Sequence, residues 1–157
     1  MNPSVIGADV DACFAQFSRR IGELVLQSEA NRVRVCALGG ADMLSRLLER
    51  AVDDAVLEGT SVALSNISLS EDGRSQVEKA GGLDGLVTLL SSPVGDAVLA
   101  AAAGALRNLA CGNTARLRIA ELGGIEKLVS LRPRFTYLPR ILACEFTQAH
   151  HPLTQTY

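Results

Sequence analysis

The sequence predicts an all-α solenoid, a stack of like helical units in place of a globule around one pocket. Three observations carry that reading. The doublet Gly-Gly recurs at Gly39-Gly40, Gly81-Gly82 and Gly123-Gly124, and both intervals are 42 residues. Sliding segment 38–79 over 80–121 without a gap gives 15 identities in 42 positions, far beyond what unrelated segments share. The identities are core-type residues at helical spacing: Leu44, Leu47 and Leu48 fall on Leu86, Leu89 and Leu90, Ala55-Val56-Leu57 on Ala97-Val98-Leu99, and Ala63-Leu64 on Ala105-Leu106. A unit of this length cannot enclose a core alone and must stack on its neighbours.

Residues 11–27 align with 53–69 in the apolar column, Phe14 with Val56, Ile21 with Ala63 and Val25 with Ile67. Segment 1–37 therefore reads as a degenerate N-terminal capping repeat, since an uncapped unit leaves an apolar face in water. The register continues through Arg32, Arg74 and Arg116, and through Val35, Val77 and Ile119. A short apolar-periodic stretch (Gly73–Ala80, Ala115–Leu122) precedes each later Gly-Gly, and a leucine-rich one (Leu83–Leu90, Ile125–Leu131) follows it. The doublet is where one helix ends and the chain turns sharply into the next.

Ser91-Ser92-Pro93 then breaks the second helix, Asp96 starts a third that runs through Ala110, and Gly112-Asn113-Thr114 closes it and caps the next unit. Each unit thus holds one short helix and two longer ones. Segments 38–79 and 80–121 are complete repeats and 122–131 is a truncated one.

After Leu131 the pattern fails, because Arg132-Pro133-Arg134 stands where Leu90-Ser91-Ser92 stood. Residues 132–157, with Pro133, Pro139 and Pro152, form a non-repeat tail that is expected to be poorly ordered. One reading makes it a basic appendage with a short helix in Leu138–Ala149 that covers the last unit. The favoured one makes it an accident of truncation or read-through at the edge of a fragment, because two complete repeats leave a stack marginal.

Composition agrees with closely stacked helices: 48% of residues are hydrophobic and 4% aromatic, so Leu, Val, Ile and Ala do the packing. The longest apolar stretch, Ala97–Leu106, is too short for a membrane span. Met1–Val10 lacks a basic leader before an apolar segment, and residue 2 is not glycine, so a site of action in the cytoplasm or nucleus is expected. The four cysteines, Cys13, Cys36, Cys111 and Cys144, form no C-x-x-C pair, and three are expected to be small buried hydrophobes. A zinc site would need clustered ligands, for which the tail offers Cys144 with His150 and His151; no metal or cofactor is expected.

Catalysis has little to stand on. Both histidines sit in the tail, and neither G-x-S-x-G nor G-x-x-x-x-G-K-[ST] occurs. The glycine doublets recur at equivalent places in every unit, which favours turns over phosphate cradles. A net charge of −2 supplies no phosphate-tracking stripe, so nucleic acid is not the expected partner.

The stretch Ala-Gly-Ala-Leu-Arg-Asn-Leu-Ala (Ala103–Ala110), followed by Gly112-Asn113, Arg116, Ile119, Gly123-Gly124-Ile125 and Leu128-Val129, resembles the armadillo repeat. Val62–Ser68 carries the same pattern one unit earlier, and Leu83, Leu86, Val87, Leu89 and Leu90 match the family's second helix. The resemblance covers 38–131 strongly and 11–37 weakly. It implies an armadillo-type α-solenoid, a right-handed superhelix of three-helix repeats whose third helices line a concave groove. It also implies that a recurrent third-helix asparagine, here Asn66 and Asn108, clamps the backbone of an extended partner peptide. An amide offers both donor and acceptor, so a ladder of asparagines can hold an extended chain whatever its side chains.

On that resemblance the groove residues are Asn66, Asn108, Arg107, Ser65, Val62 and Gly104, and the chain is a non-enzymatic protein-interaction scaffold with no small-molecule substrate. Val62 and Gly104 stand where nuclear-import adaptors of the family commonly carry tryptophan, and the chain has no tryptophan. The resemblance is therefore nearer to vacuolar, junctional and β-catenin-like scaffolds than to importin-α. The alternatives are a nuclear-import cargo adaptor fragment, the substrate-recruiting region of an armadillo-type ubiquitin ligase, and a decayed gene product without function.

Segment 38–79 carries eight acidic and four basic residues. Glu49, Asp53, Asp54 and Glu58, if gathered at the groove rim, would call for a basic stretch in the partner; a solvated helix face is the blander reading. Arg107 is read as a contact for acidic or carboxylate groups, while Arg74 and Arg116 are read as braces on carbonyls at a helix C-terminus.

Overall fold

The structure is a computed structural model and describes residues 3–131. Among the described residues there are nine helices and no strand: α1 (Pro3–Gln27), α2 (Glu29–Ala37), α3 (Gly40–Arg50), α4 (Asp54–Ile67), α5 (Glu71–Lys79), α6 (Gly82–Leu89), α7 (Asp96–Leu109), α8 (Asn113–Glu121) and α9 (Gly124–Ser130). The tail, its expected helix at Leu138–Ala149 and the Cys144, His150 and His151 trio lie outside the described residues.

Local chemistry sets the helix boundaries. Ser28 caps α2 by accepting from the Asn31 amide at 3.1 Å, and Ser70 caps α5 from the Gly73 amide at 3.2 Å. Asp53 caps α4, its Oδ1 accepting from the amides of Ala55 at 2.9 Å and Val56 at 3.2 Å. Each doublet has a division of labour. The first glycine takes the left-handed conformation, with φ of 79°, 77° and 68° at Gly39, Gly81 and Gly123. The second is short of space: a Cβ at Gly40 would lie 2.8 Å from the Val35 carbonyl oxygen, and one at Gly124 2.8 Å from that of Ile119. Both glycines are needed because the turn demands positive φ at one residue and close helix approach at the next.

The third helices stack in chain order, α1 against α4 and α4 against α7. Behind them α3 packs on α4 and α6, α6 on α7, and α2 on α5. The helices share one apolar cluster from Val25 to Leu131, in which Leu44 and Leu86, Leu64 and Leu106, and Val77 and Ile119 are buried at equivalent places. Each fully buried aliphatic side chain contributes about 1.5–3 kcal/mol relative to exposure. Small residues let the third helices approach closely: a Cβ at Gly22 would sit 3.4 Å from the Ala63 Cα, and one at Gly59 3.3 Å from the Ala15 carbonyl oxygen.

Neighbouring helices are also tied by polar contacts. The guanidinium of Arg118 on α8 grips both carboxylate oxygens of Asp84 on α6, at 3.2 and 2.6 Å. Arg32, Arg74 and Arg116 reach back to carbonyls at the C-terminal end of the preceding third helix, at Val25, Ser68 and Ala110 respectively, at 3.1, 3.2 and 2.9 Å. The brace reading of Arg74 and Arg116 thus has its geometry, and Arg32 shares it.

One expectation is corrected. Among the described cysteines Cys36 is buried, but Cys13 and Cys111 are exposed. Cys13 lies on the exposed face of α1, and Cys111 sits in the turn after α7, where hydrophobic spacing no longer determines burial. The first helix extends beyond the aligned stretch 11–27 and begins at Pro3, with proline at a first-turn position where its missing N–H costs nothing.

Candidate peptide-binding groove

The 42-residue register places equivalent side chains along the stacked third helices: Arg20, Glu23 and Leu24 on α1, then Val62, Ser65 and Asn66 on α4, then Gly104, Arg107 and Asn108 on α7. Val62, Leu24 and Arg107 are exposed, and Ser65, Asn66 and Asn108 are half-buried. A Cβ built at Gly104 would meet nothing within 4 Å, so this stretch of α7 is open.

The asparagine amides are tethered to the neighbouring helix. Asn66 donates from Nδ2 to the Gly22 carbonyl on α1 at 3.0 Å. Asn108 donates to the Ser65 carbonyl and to Ser65 Oγ on α4, each at 3.0 Å. Each asparagine therefore bridges to the third helix one unit back, instead of capping its own helix. A primary amide has two N–H groups and a carbonyl, so the Asn66 bridge uses one of its two donors. Arg107 lies beside Asn108, its guanidinium donating to Oδ1 at 3.4 Å.

On α1 the corresponding positions carry an ion pair, Arg20 to Glu23 at 2.8 Å, and no amide. Arg20 and Glu23 were missed by reasoning from the asparagine motif, although their offset of 42 from Val62 and Ser65 marks them.

Two of the four carboxylates weighed for the groove rim are bound to backbone amides. Asp53 is bound to its own helix start, and Asp54 Oδ2 accepts from the Gly95 amide at 2.8 Å, holding the chain just before α7. Glu58 lies one turn before Val62 on α4, and Glu49 belongs to α3. The excess of carboxylates in 38–79 is thus partly engaged with backbone amides.

No protein-family model and no curated protein matches the sequence. Solved structures do. A crystal structure of an engineered protein is 32% identical, with a TM-score of 0.70 over 74% of this chain and 48% of its own length. A designed armadillo repeat protein is 23% identical, with a TM-score of 0.70 over 76% of this chain and 50% of its own. The crystal structure of computationally designed armadillo repeat proteins for modular peptide recognition is 24% identical, with a TM-score of 0.65 over 71% and 47%. The chain spans about half the length of these three structures. Gapless 42-residue units, nine helices among the described residues and these superpositions together make the fold that of an armadillo-type α-solenoid.

Proposed function

We propose that this chain is a non-enzymatic protein-interaction scaffold that binds an extended peptide segment along its stacked third helices. The observation that carries the reading is the line of Asn66 and Asn108, one amide per unit, flanked by exposed Val62, the open surface at Gly104 and the exposed guanidinium of Arg107. An extended strand presents a carbonyl and an amide at regular intervals; the Asn66 bridge uses one of its two N–H groups, whereas Asn108 places Nδ2 on Ser65 and Oδ1 opposite Arg107 and exchanges those contacts when it takes up the strand. Arg107 favours a carboxylate side chain in the peptide. Support of a coarser kind comes from the designed structure described as made for modular peptide recognition, which shares the fold.

Tryptophan is absent from Val62 and Gly104, which removes the platform on which a lysine stem would be sandwiched. This favours a scaffold of the vacuolar, junctional or signalling kind over an import adaptor, acting in the cytoplasm or nucleus. Among the described residues no helix is long and apolar enough to cross a membrane.

The test is binding of a library of extended peptides to the chain and to an Asn66→Ala, Asn108→Ala double variant of matched helicity. Retention of the same peptides at unchanged affinity by the double variant would sink the reading. Arg107→Glu is expected to reverse the preference for acidic peptides.

A further inference from the structure

The described helices begin with a third helix, α1, and finish with a second helix, α9, so within the described stack the two ends present faces that the interior units bury. At the start, α1, α3 and the first turn of α4 line an open cavity of about 390 Å³, its apolar wall from Phe14, Phe17, Met43 and Leu47 and its charged lining from Asp11, Arg46 and Arg50. Phe14 is 43% exposed, whereas Val56 and Val98, its equivalents on α4 and α7, are each 1% exposed. The interior positions are covered because a second helix of the same unit packs along each third helix, α3 on α4 and α6 on α7. No such helix precedes α1 among the described residues.

At the other end, Ile125 is 54% and Val129 65% exposed on α9, whereas their equivalents Leu83 and Val87 on α6 are 2% and 1% exposed. In the interior this face of a second helix meets the second helix of the next unit: a Cβ at Gly82 would lie 2.6 Å from Ser45 Oγ, and one at Gly85 3.0 Å from Leu48 Cδ2. Ser45 is the equivalent of Val129, and Gly82 and Gly85 are the equivalents of Gly40 and Met43. The face that α9 leaves open is therefore the one whose counterpart, α3 with its cavity, stands open at the start.

We propose that a second copy of this chain docks head to tail, the Ile125 and Val129 face of α9 entering the Phe14, Met43 and Leu47 cavity of the next copy. The α1 helix of that next copy then supplies the third helix of the unit begun by α8 and α9. Charge agrees with the register. Carried forward by whole repeats, the Asp84 to Arg118 ion pair becomes Glu126 of one copy with Arg34 of the next, both of which are exposed. The contact is heterologous, so it propagates as an open chain unless the rotation closes it into a ring.

Sedimentation velocity of the full chain from micromolar to millimolar concentration tests this, alongside Phe14→Glu and Val129→Glu. The weight-average mass of the parent is expected to rise from one chain towards two and beyond, while each variant alone stays a monomer. Mixed, the two variants retain one intact face and one intact cavity and form a one-to-one dimer and nothing larger. A monomeric parent at every concentration, or association that either single variant leaves intact, overturns the proposal. If a glutamate variant loses helicity, Glu126→Arg and Arg34→Glu replace it: each weakens association alone and their mixture restores it, and a mixture as weak as the separate variants also overturns it.

Discussion

Asn108 on α7 donates its side-chain amide to the backbone carbonyl of Ser65 on α4, 43 residues earlier, at 3.0 Å. The bond crosses between units, so it couples the third-helix stack directly. Asn108→Ala leaves that half-buried carbonyl without its partner and is expected to cost about 1–2 kcal/mol. Ser65→Ala retains the carbonyl acceptor and should cost distinctly less. Thermal unfolding followed by circular dichroism ranks the two, and equal melting temperatures for Asn108→Ala and the parent would remove the bridge from the account of stability.

The two glycines of a doublet should fail differently. A Cβ at Gly39 meets nothing within 4 Å, so Gly39→Ala carries only the strain of positive φ, about 1–2 kcal/mol. At Gly40 the same methyl meets Val35 Cγ1 and lies 2.8 Å from the Val35 carbonyl oxygen. Forcing the first and second helices of the unit apart places Gly40→Ala in the range of about 1–3 kcal/mol or more. Gly39→Asn should be the mildest change, since asparagine tolerates the left-handed region. Urea midpoints in the order parent, Gly39→Asn, Gly39→Ala, Gly40→Ala are the expected result.

Arg116 donates to the carbonyl oxygens of Ala110 at 2.9 Å and Cys111 at 3.4 Å, closing the end of α7. Arg116→Met keeps the aliphatic stem and removes the donors, with an expected loss of about 1 kcal/mol. Arg116→Lys should recover part of it, because a single ammonium does not reproduce the planar fork. Denaturant titrations of the three proteins check the order; a methionine variant as stable as the parent would exclude the brace.

Cys36 is buried in the core, and burial, together with the nearby charge of Asp72, pushes its thiol up from the ordinary range. Thiolate reagents at neutral pH should label Cys13 and Cys111 first and Cys36 only on unfolding. The linkage follows the raised value: stability from the neutral thiol is complete below the unfolded pKa and is lost as pH rises through the folded one. Cys36→Ala should therefore flatten the alkaline side of the stability profile, and an unchanged profile would show that the thiol is not responsible.

The sequence by itself determined the 42-residue period, the three helices per unit, the turn at each Gly-Gly and the column of buried leucines. These rest on local information: helical spacing, capping chemistry and glycine's freedom at φ repeat within each unit, and stacking copies that register. The aligned arginines were legible as braces for the same reason, since their carbonyl partners lie only six or seven residues back.

What the tertiary structure alone decided concerns partners a whole unit away and the ends of the stack. Asn66 could be recognised as a repeated amide, but its bond to Gly22 depends on how closely α1 approaches α4, a spacing set by the small residues packed between them. Asp54 looked like surface charge until its carboxylate met the Gly95 amide in the next unit. Phe14 and Val129 obey the same apolar pattern as their buried equivalents, yet among the described residues they are 43% and 65% exposed. Burial in a solenoid is conferred by the neighbouring unit, and a side chain's own periodicity does not state whether that neighbour is there.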